Sequence, residues 1–264
     1  MAPLTPMRLT LNTPPAAAGL RWFQAGLREV IAQPLGYAGL FALFMFGALV
    51  LSMLPAVGGL LLLMAMPLLS LAFVMAAAGR QRELPVRAAV LLAPWRSGPI
   101  ERRRRLFLLC LSYALAMTLM LWLAQVLDGG RFDAWVAMTA EGKGGSDEWV
   151  ALAEDNAVML GALARLVLGS LISLLYWHAP PLVQWADQGV AQALFSSALA
   201  LWRGRAAFFV YNACWVLISV PVLLLQTIAP ALGLLTLPLW LLLTTAFYAS
   251  LYASFLDSFT ATPD

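Results

Sequence analysis

Charge disappears from this chain for about fifty residues at a time. Val30–Gly79 and Ala206–Leu256 contain no Asp, Glu, Lys, Arg or His. Each stretch is roughly twice the ~20 residues that cross a bilayer core as a helix. Each is interrupted by turn residues, Pro55-Ala-Val-Gly58-Gly59 in the first and Pro230-Ala-Leu-Gly233 in the second. Two spans and a tight turn account for both. With two further apolar runs between them, the pattern predicts an all-α, polytopic membrane protein of six transmembrane helices in three hairpins. The expected spans are residues 35–54, 60–78, 106–127, 158–180, 206–228 and 233–256, within one integral membrane domain over 20–256.

Helical periodicity precedes each hairpin. Leu20, Phe23, Leu27, Val30 and Ile31 share one face of a helix, with Arg21, Gln24 and Arg28 on the other, up to Pro34. This is the pattern of a helix lying in the membrane interface. Residues 84–96 form a second such segment. Residues 190–203 form a third, with Val190, Leu194, Phe195, Ala198 and Trp202 on its apolar side. Each carries a Trp beside an Arg: Arg21-Trp22, Trp95-Arg96 and Trp202-Arg203. The order helix, span, span thus recurs three times. It reads either as a parallel repeat around an axis along the membrane normal or as the ordinary preference of Trp and Arg for the interface. Residues 1–19, with four prolines among small and polar residues, read as a disordered tail, and 257–264 as a short tail.

Composition agrees with the pattern. Hydrophobic residues make up 62% of the 264 and charged residues 11%, against about 25% charged in soluble domains. The distribution of charge then sets the orientation. With the N-terminus in the cytoplasm, thirteen of the sixteen cations fall on inside segments and two, Arg131 and Lys143, outside, while Arg165 lies within span 4. The positive-inside rule therefore places both termini in the cytoplasm and the acidic segment 128–156 outside. In that segment Ser146 suits a helix N-cap, with Asp147 and Glu148 at the positive end of the helix dipole, so a long helix is expected to begin there and continue into span 4. The first apolar run begins too late for a cleaved signal sequence and reads as an uncleaved span.

The chain resembles a group of six-span bacterial inner-membrane proteins, found chiefly in beta-proteobacteria, that has no assigned activity. The resemblance rests on Trp22-x3-Gly26-x7-Pro34 before span 1 and on the Pro55-x-x-Gly58 hairpin. It rests also on Ala179-Pro180-Pro181-Leu182 at the end of span 4 and on Ala193 through Trp202-Arg203 before span 5. It covers nearly the whole chain and implies architecture and compartment, the bacterial inner membrane, with no site residues.

Candidate chemistry is sparse. Cys110 and Cys214 lie in apolar runs and behave as small buried hydrophobes. With two Cys and one His in the chain, a zinc or iron–sulfur site lacks ligands, and no cofactor is expected. Glycine loops for nucleotides and a nucleophile elbow are absent. Arg96 and the run Arg102, Arg103, Arg104 and Arg105 are candidates for anionic lipid headgroups, or for a topology anchor alone. They lie too close to the membrane to favour nucleic acid. Arg165 reads as a residue snorkelling to the outer interface and tolerant of Lys or Gln. Its alternative reading is a partner for an anion or an acid. His178 is either a proton relay or an interfacial histidine. Thr244, Tyr248 and Tyr252 form a polar stripe at four-residue spacing, beside the small residues Ala246, Ser250 and Ser254. These line a cavity, or let helices approach closely. The reading reached from sequence is a non-catalytic scaffold, assembly or lipid-interacting component of the inner membrane. Its partners would be anionic lipids, and a membrane-protein partner or a second copy of the chain. The alternatives are a small-molecule transporter and a membrane-embedded enzyme. No water-filled route through the spans is expected, because their polar lining is discontinuous.

Overall fold

The computed structural model describes residues 8–96, 98–228 and 233–262. In chain order these form β1 (Arg8–Leu11), α1 (Ala17–Ala32), α2 (Pro34–Ser52) and α3 (Gly58–Arg80), then a 3₁₀ turn over Ala88–Leu92 that runs into α4 (Ala93–Arg96). There follow α5 (Ile100–Asp128), α6 (Arg131–Ala140), α7 (Asp147–Ala153), α8 (Asn156–Tyr176), α9 (Ala179–Ala186) and α10 (Val190–Arg203). The last elements are α11 (Arg205–Ile228), α12 (Gly233–Ser258) and β2 (Phe259–Thr262). Among the described residues six helical stretches are long and apolar enough to cross a membrane: α2, α3, α5, α8 continued through α9, α11 and α12.

Local chemistry sets the breaks. Pro34 occupies the first turn of α2, where a missing N–H costs nothing. Gly129 adopts the left-handed conformation that closes α5 (φ 61°), as a helix C-terminus often requires. Ser146 does cap α7, accepting from the Trp149 N–H at 3.2 Å. The long helix expected to continue into span 4 is nevertheless broken. Asp155 accepts from the Ala157 N–H at 2.8 Å and so caps α8 as a separate helix. α8 stops at Tyr176, and the fourth span continues through α9, whose first turn holds Pro180 and Pro181. The turn at Pro230 lies outside the described residues.

Ion pairs sort the helix ends into two groups. At one end lie Arg21–Asp257, Arg80–Glu29 and Arg102–Asp187, at 3.1, 3.6 and 3.1 Å. At the other lie Arg131–Asp155, Arg165–Asp128 and Arg165–Asp133. The first group ties α1 to the ends of α3 and α12, and ties the start of α5 to the end of α9. Two apolar cores run between the ends. One gathers Trp22, Tyr37, Leu40, Phe73, Tyr211, Leu243 and Ala246 from α1, α2, α3, α11 and α12. The other gathers Leu71, Leu106, Leu109, Leu182, Val183 and Phe255 from α3, α5, α9 and α12.

The last two spans depart from the close pairing expected of a hairpin. α11 and α12 touch sparsely, because α1 packs extensively against both. Its inward face is Ala18, Gly19, Trp22, Gly26 and Val30. The larger apolar residues Leu20 and Ile31 are exposed. A Cβ on Gly19 would meet the Tyr211 backbone N at 2.6 Å, and one on Gly26 would meet the Ser250 Cβ at 2.6 Å. Glycine is therefore what lets α1 lie against its neighbours. α10 repeats the arrangement: Ala193, Ser197 and Ala200 face inward, while Phe195 and Trp202 are exposed. In both helices part of the apolar stripe packs inward, Phe23, Leu27 and Val30 in α1 and Val190 and Leu194 in α10, and the small residues beside it bring the backbones close. The segment 84–96 is not one helix but an extended lead, the 3₁₀ turn and one turn of α-helix.

The tails also differ from expectation. β1 and β2 pair antiparallel, with Arg8 opposite Thr262 and Leu11 opposite Phe259. Residues 8–19 and 257–262 thus join the two ends of the chain. Asn12 closes the ribbon by donating to the Thr260 hydroxyl at 2.6 Å. Trp22 Nε1 donates to the Asp257 carboxylate at 2.9 Å, which ties α1 to the end of α12.

Candidate functional site

Three places in the bundle hold the polar residues singled out by sequence. The first is the basic end. Arg102 forms a two-point bridge to Asp187, Nε to Oδ1 at 3.1 Å and Nη2 to Oδ2 at 3.3 Å. Arg105 reaches the Asp187 backbone carbonyl, and Arg103 donates to the Trp95 carbonyl at 3.4 Å. Asp187 holds a left-handed backbone conformation (φ 55°) at the end of α9, which turns it toward α5. Three of the four arginines of the run are therefore drawn into the protein. Arg104 and Arg96 stay exposed. Arg203 of α10 and Arg205 of α11 are exposed too, and the Arg205 guanidinium lies 5.4 Å from the centre of the Trp202 ring.

The second place is the opposite end, and it overturns the snorkelling reading of Arg165. The Arg165 side chain is 13% exposed and bonds Asp128, whose side chain is fully buried. It also donates to Asp133 at 3.0 Å, and its guanidinium lies 4.4 Å from the centre of the Phe132 ring. Asp128 has a second duty, accepting from the Gly130 N–H at 2.7 Å. A Cβ on Gly161 would overlap the Asp128 carboxylate, so glycine one turn before Arg165 opens the space for the pair. The acidic segment outside the spans is thereby pinned to α8. The rings of Trp135 and Trp149 lie tilted against each other within it, their centres 5.4 Å apart. The Ala157 N–H, and then the Arg131 guanidinium, hold the Asp155 carboxyl below the ordinary carboxylate range. On the exposed turn Lys143 does the same to Glu141, its ammonium 2.6 Å away.

The sequence had offered Arg165 no partner, although Asp128 is the acid that closes span 3. What was missing was the register of α5 against α8, which no local pattern carries.

The third place lies inside the spans. His178, Tyr248 and Tyr252 do not converge. His178 is 1% exposed, and its ring packs edge-on against Phe255 and Phe259 at 5.9 and 5.5 Å. Its backbone N–H donates to the Ser197 hydroxyl at 3.0 Å. It is a core ring rather than an interfacial one, and Asp187 is taken by Arg102. Tyr252 donates to the Gln81 side-chain carbonyl at 3.0 Å. The two stripes of α12 have separate roles. Ala246 and Ser250 receive α1, and Ser254 accepts from Trp177 Nε1 at 3.3 Å. Thr244 and Tyr248 instead line a cavity.

That cavity, of about 320 Å³, lies between α11 and α12 and is lined by Trp215, Ser219, Trp240, Leu243, Thr244, Phe247 and Tyr248. A second, of about 190 Å³, lies across the same rings and includes Ser70, Tyr113, Ser173, Tyr176, Trp177, Phe247 and Tyr248. Spans α3, α5, α8 and α12 all contribute to it. Neither cavity is lined by an ionisable acid, Lys, Arg or His. Among the described residues no three His, Cys, Asp or Glu side chains gather as a metal site needs.

Six membrane-compatible helices with apolar outer faces decide the class. This is a multi-pass membrane protein. The chain is similar to a probable inner membrane protein of Burkholderia thailandensis, with 27% identity over 252 residues that span 92% of each chain. No family model and no solved structure matches it.

Proposed function

We propose that the protein is a non-catalytic component of the bacterial inner membrane that engages anionic lipid at its basic end. The inner membrane is the location named for the Burkholderia relative. The observation that carries the reading is the surface where Arg96, Arg104 and Arg203 make no ion pair among the described residues. On the helix that carries Arg203, Phe195 and Trp202 are 68% and 70% accessible. Cations beside exposed aromatic rings suit the headgroup level of a bilayer, where each cation adds about 1 kcal/mol of attraction to anionic lipid. The positive-inside rule puts this end, with both termini, in the cytoplasm.

The test is the lipid that copurifies when the protein is extracted into native nanodiscs. Anionic lipids should be enriched over the bulk membrane. Replacing Arg96, Arg104, Arg203 and Arg205 together by Gln should abolish the enrichment while leaving the fold intact, since none of them bridges to an acid among the described residues. Enrichment unchanged by the four substitutions would sink the reading. Solute uptake in proteoliposomes that depends on Tyr248 would favour a transporter instead.

A further inference from the structure

α1 packs between α11 and α12 at Ala207, Tyr211, Ala246 and Ser250, and the larger cavity opens between the same two helices beside it. Ser219 lies fourteen residues into α11 and Thr244 fourteen from the end of α12, roughly 20 Å from the basic end along each helix. The space is thus at the middle of the spans. At about 320 Å³ the cleft reaches the size at which ligand sites begin, about 300 Å³.

The polar lining is more telling than the volume. Hydroxyls within helices ordinarily bond a carbonyl one turn back, as Ser70 does to Pro67 at 2.9 Å and Thr245 to Leu242 at 2.8 Å. Ser219, Thr244 and Tyr248 do not. None of the three hydroxyls has a hydrogen-bond partner among the described residues. All the hydroxyls of the larger cavity are left open at a depth where the surrounding solvent offers no hydrogen bonds. The rest of its wall is Trp215, Trp240, Phe247 and Leu243.

We propose that this cavity binds a neutral, lipid-soluble molecule bearing a hydroxyl or carbonyl group. The polar group bonds Tyr248 and Thr244, and the apolar body lies against Trp215 and Trp240. The absence of charge in the lining sets the class, because an ionised ligand would be stripped of water with no counter-charge to meet it. The opening between α11 and α12 supplies an entry from the lipid side. The site shares no residue with the basic end, and the two readings stand or fall separately.

Terminally brominated long-chain alcohols test it, because bromine quenches indole fluorescence at contact. Purified protein in neutral lipid nanodiscs should show saturable quenching, reduced when Trp215 and Trp240 are both replaced by Phe. Tyr248→Phe and Thr244→Val each remove one hydrogen bond, worth a roughly 3- to 10-fold loss of affinity, and should leave the unfolding temperature nearly unchanged. The brominated alkane of equal length should bind more weakly than the alcohol, and the ionised carboxylate more weakly still. Quenching that rises without saturation, or an alcohol affinity indifferent to Tyr248→Phe and Thr244→Val, would overturn the proposal and leave the cavity to water or lipid tails.

Discussion

Arg165 of α8 and Asp128 of α5 form an ion pair in which the carboxylate is fully buried. Arg165 lies roughly 13 Å along α8 from its start at 1.5 Å per residue, deep enough that its stem would have to run far to reach water. Asp128 comes to meet it from the last turn of α5. The pair therefore fastens span 3 to span 4 and, through Asp133, fastens both to α6.

Breaking this pair leaves a charge buried without its partner, which costs about 3–5 kcal/mol. Arg165→Gln and Asp128→Asn should each lose stability of that order in detergent unfolding. Arg165→Met combined with Asp128→Leu should lose less than either. Gly161→Ala should be damaging as well, although alanine is favoured in a helix interior by about 1 kcal/mol. Wild-type stability of Arg165→Gln would return the residue to a snorkelling role.

Gly26 is predicted to be irreplaceable where Gly39 is not. A Cβ at Gly26 meets the Ser250 Cβ at 2.6 Å, whereas one at Gly39 meets nothing within 4 Å. Gly26→Ala should push α1 off α12 and lower stability by about 1–3 kcal/mol, the usual cost of overpacking. Gly39→Ala should be neutral, or stabilising by a few tenths to 1 kcal/mol. Thermal unfolding of the two variants side by side distinguishes packing from a general effect of glycine.

Topology can be read by labelling single cysteines in a background without Cys110 and Cys214. An impermeant thiol reagent applied from outside should label Ser146→Cys and spare Gly98→Cys. The reverse pattern would invert the proposed orientation and move the basic end out of the cytoplasm.

Acid should loosen the segment between spans 3 and 4 through Asp155. Its carboxyl is held below the ordinary range in the folded state. The stability it contributes is therefore fully present above the unfolded carboxylate pKa and lost as pH falls through the lower folded value. The neighbouring rings of Trp135 and Trp149 report on this segment, and their fluorescence should change over that acid range. Asp155→Asn retains an N-cap but loses the Arg131 bridge, and should flatten the pH response without unfolding α8.

The six spans were legible because hydropathy over some twenty residues is a long signal. The Ser146 cap was legible because a cap is a local event. The faces of α1 and α10 were only partly legible. Phe23, Leu27, Val30, Val190 and Leu194 do pack inward, but Gly19, Gly26, Ala193 and Ser197 set the contact, because close approach of backbones depends on small residues. The cavity was half visible: Thr244 and Tyr248 shared a stripe, but Ser219 and Trp215 on another span gave no sign of facing them. Tyr252 continued the stripe in sequence and left it in space for Gln81.

The sequence by itself determined that this chain lives in lipid, how many times it can cross, and which end collects the cations, since each follows from residue chemistry summed along one helix or one loop. Only the tertiary structure decided that α1 stands between α11 and α12, that Arg165 has Asp128, and that three open hydroxyls share one cavity. The reason is physical. In a bilayer both the lipid-facing and the protein-facing sides of a helix are apolar, so hydropathy cannot tell them apart. The choice falls to close packing and to single polar contacts, which exist only once two distant stretches of chain lie side by side.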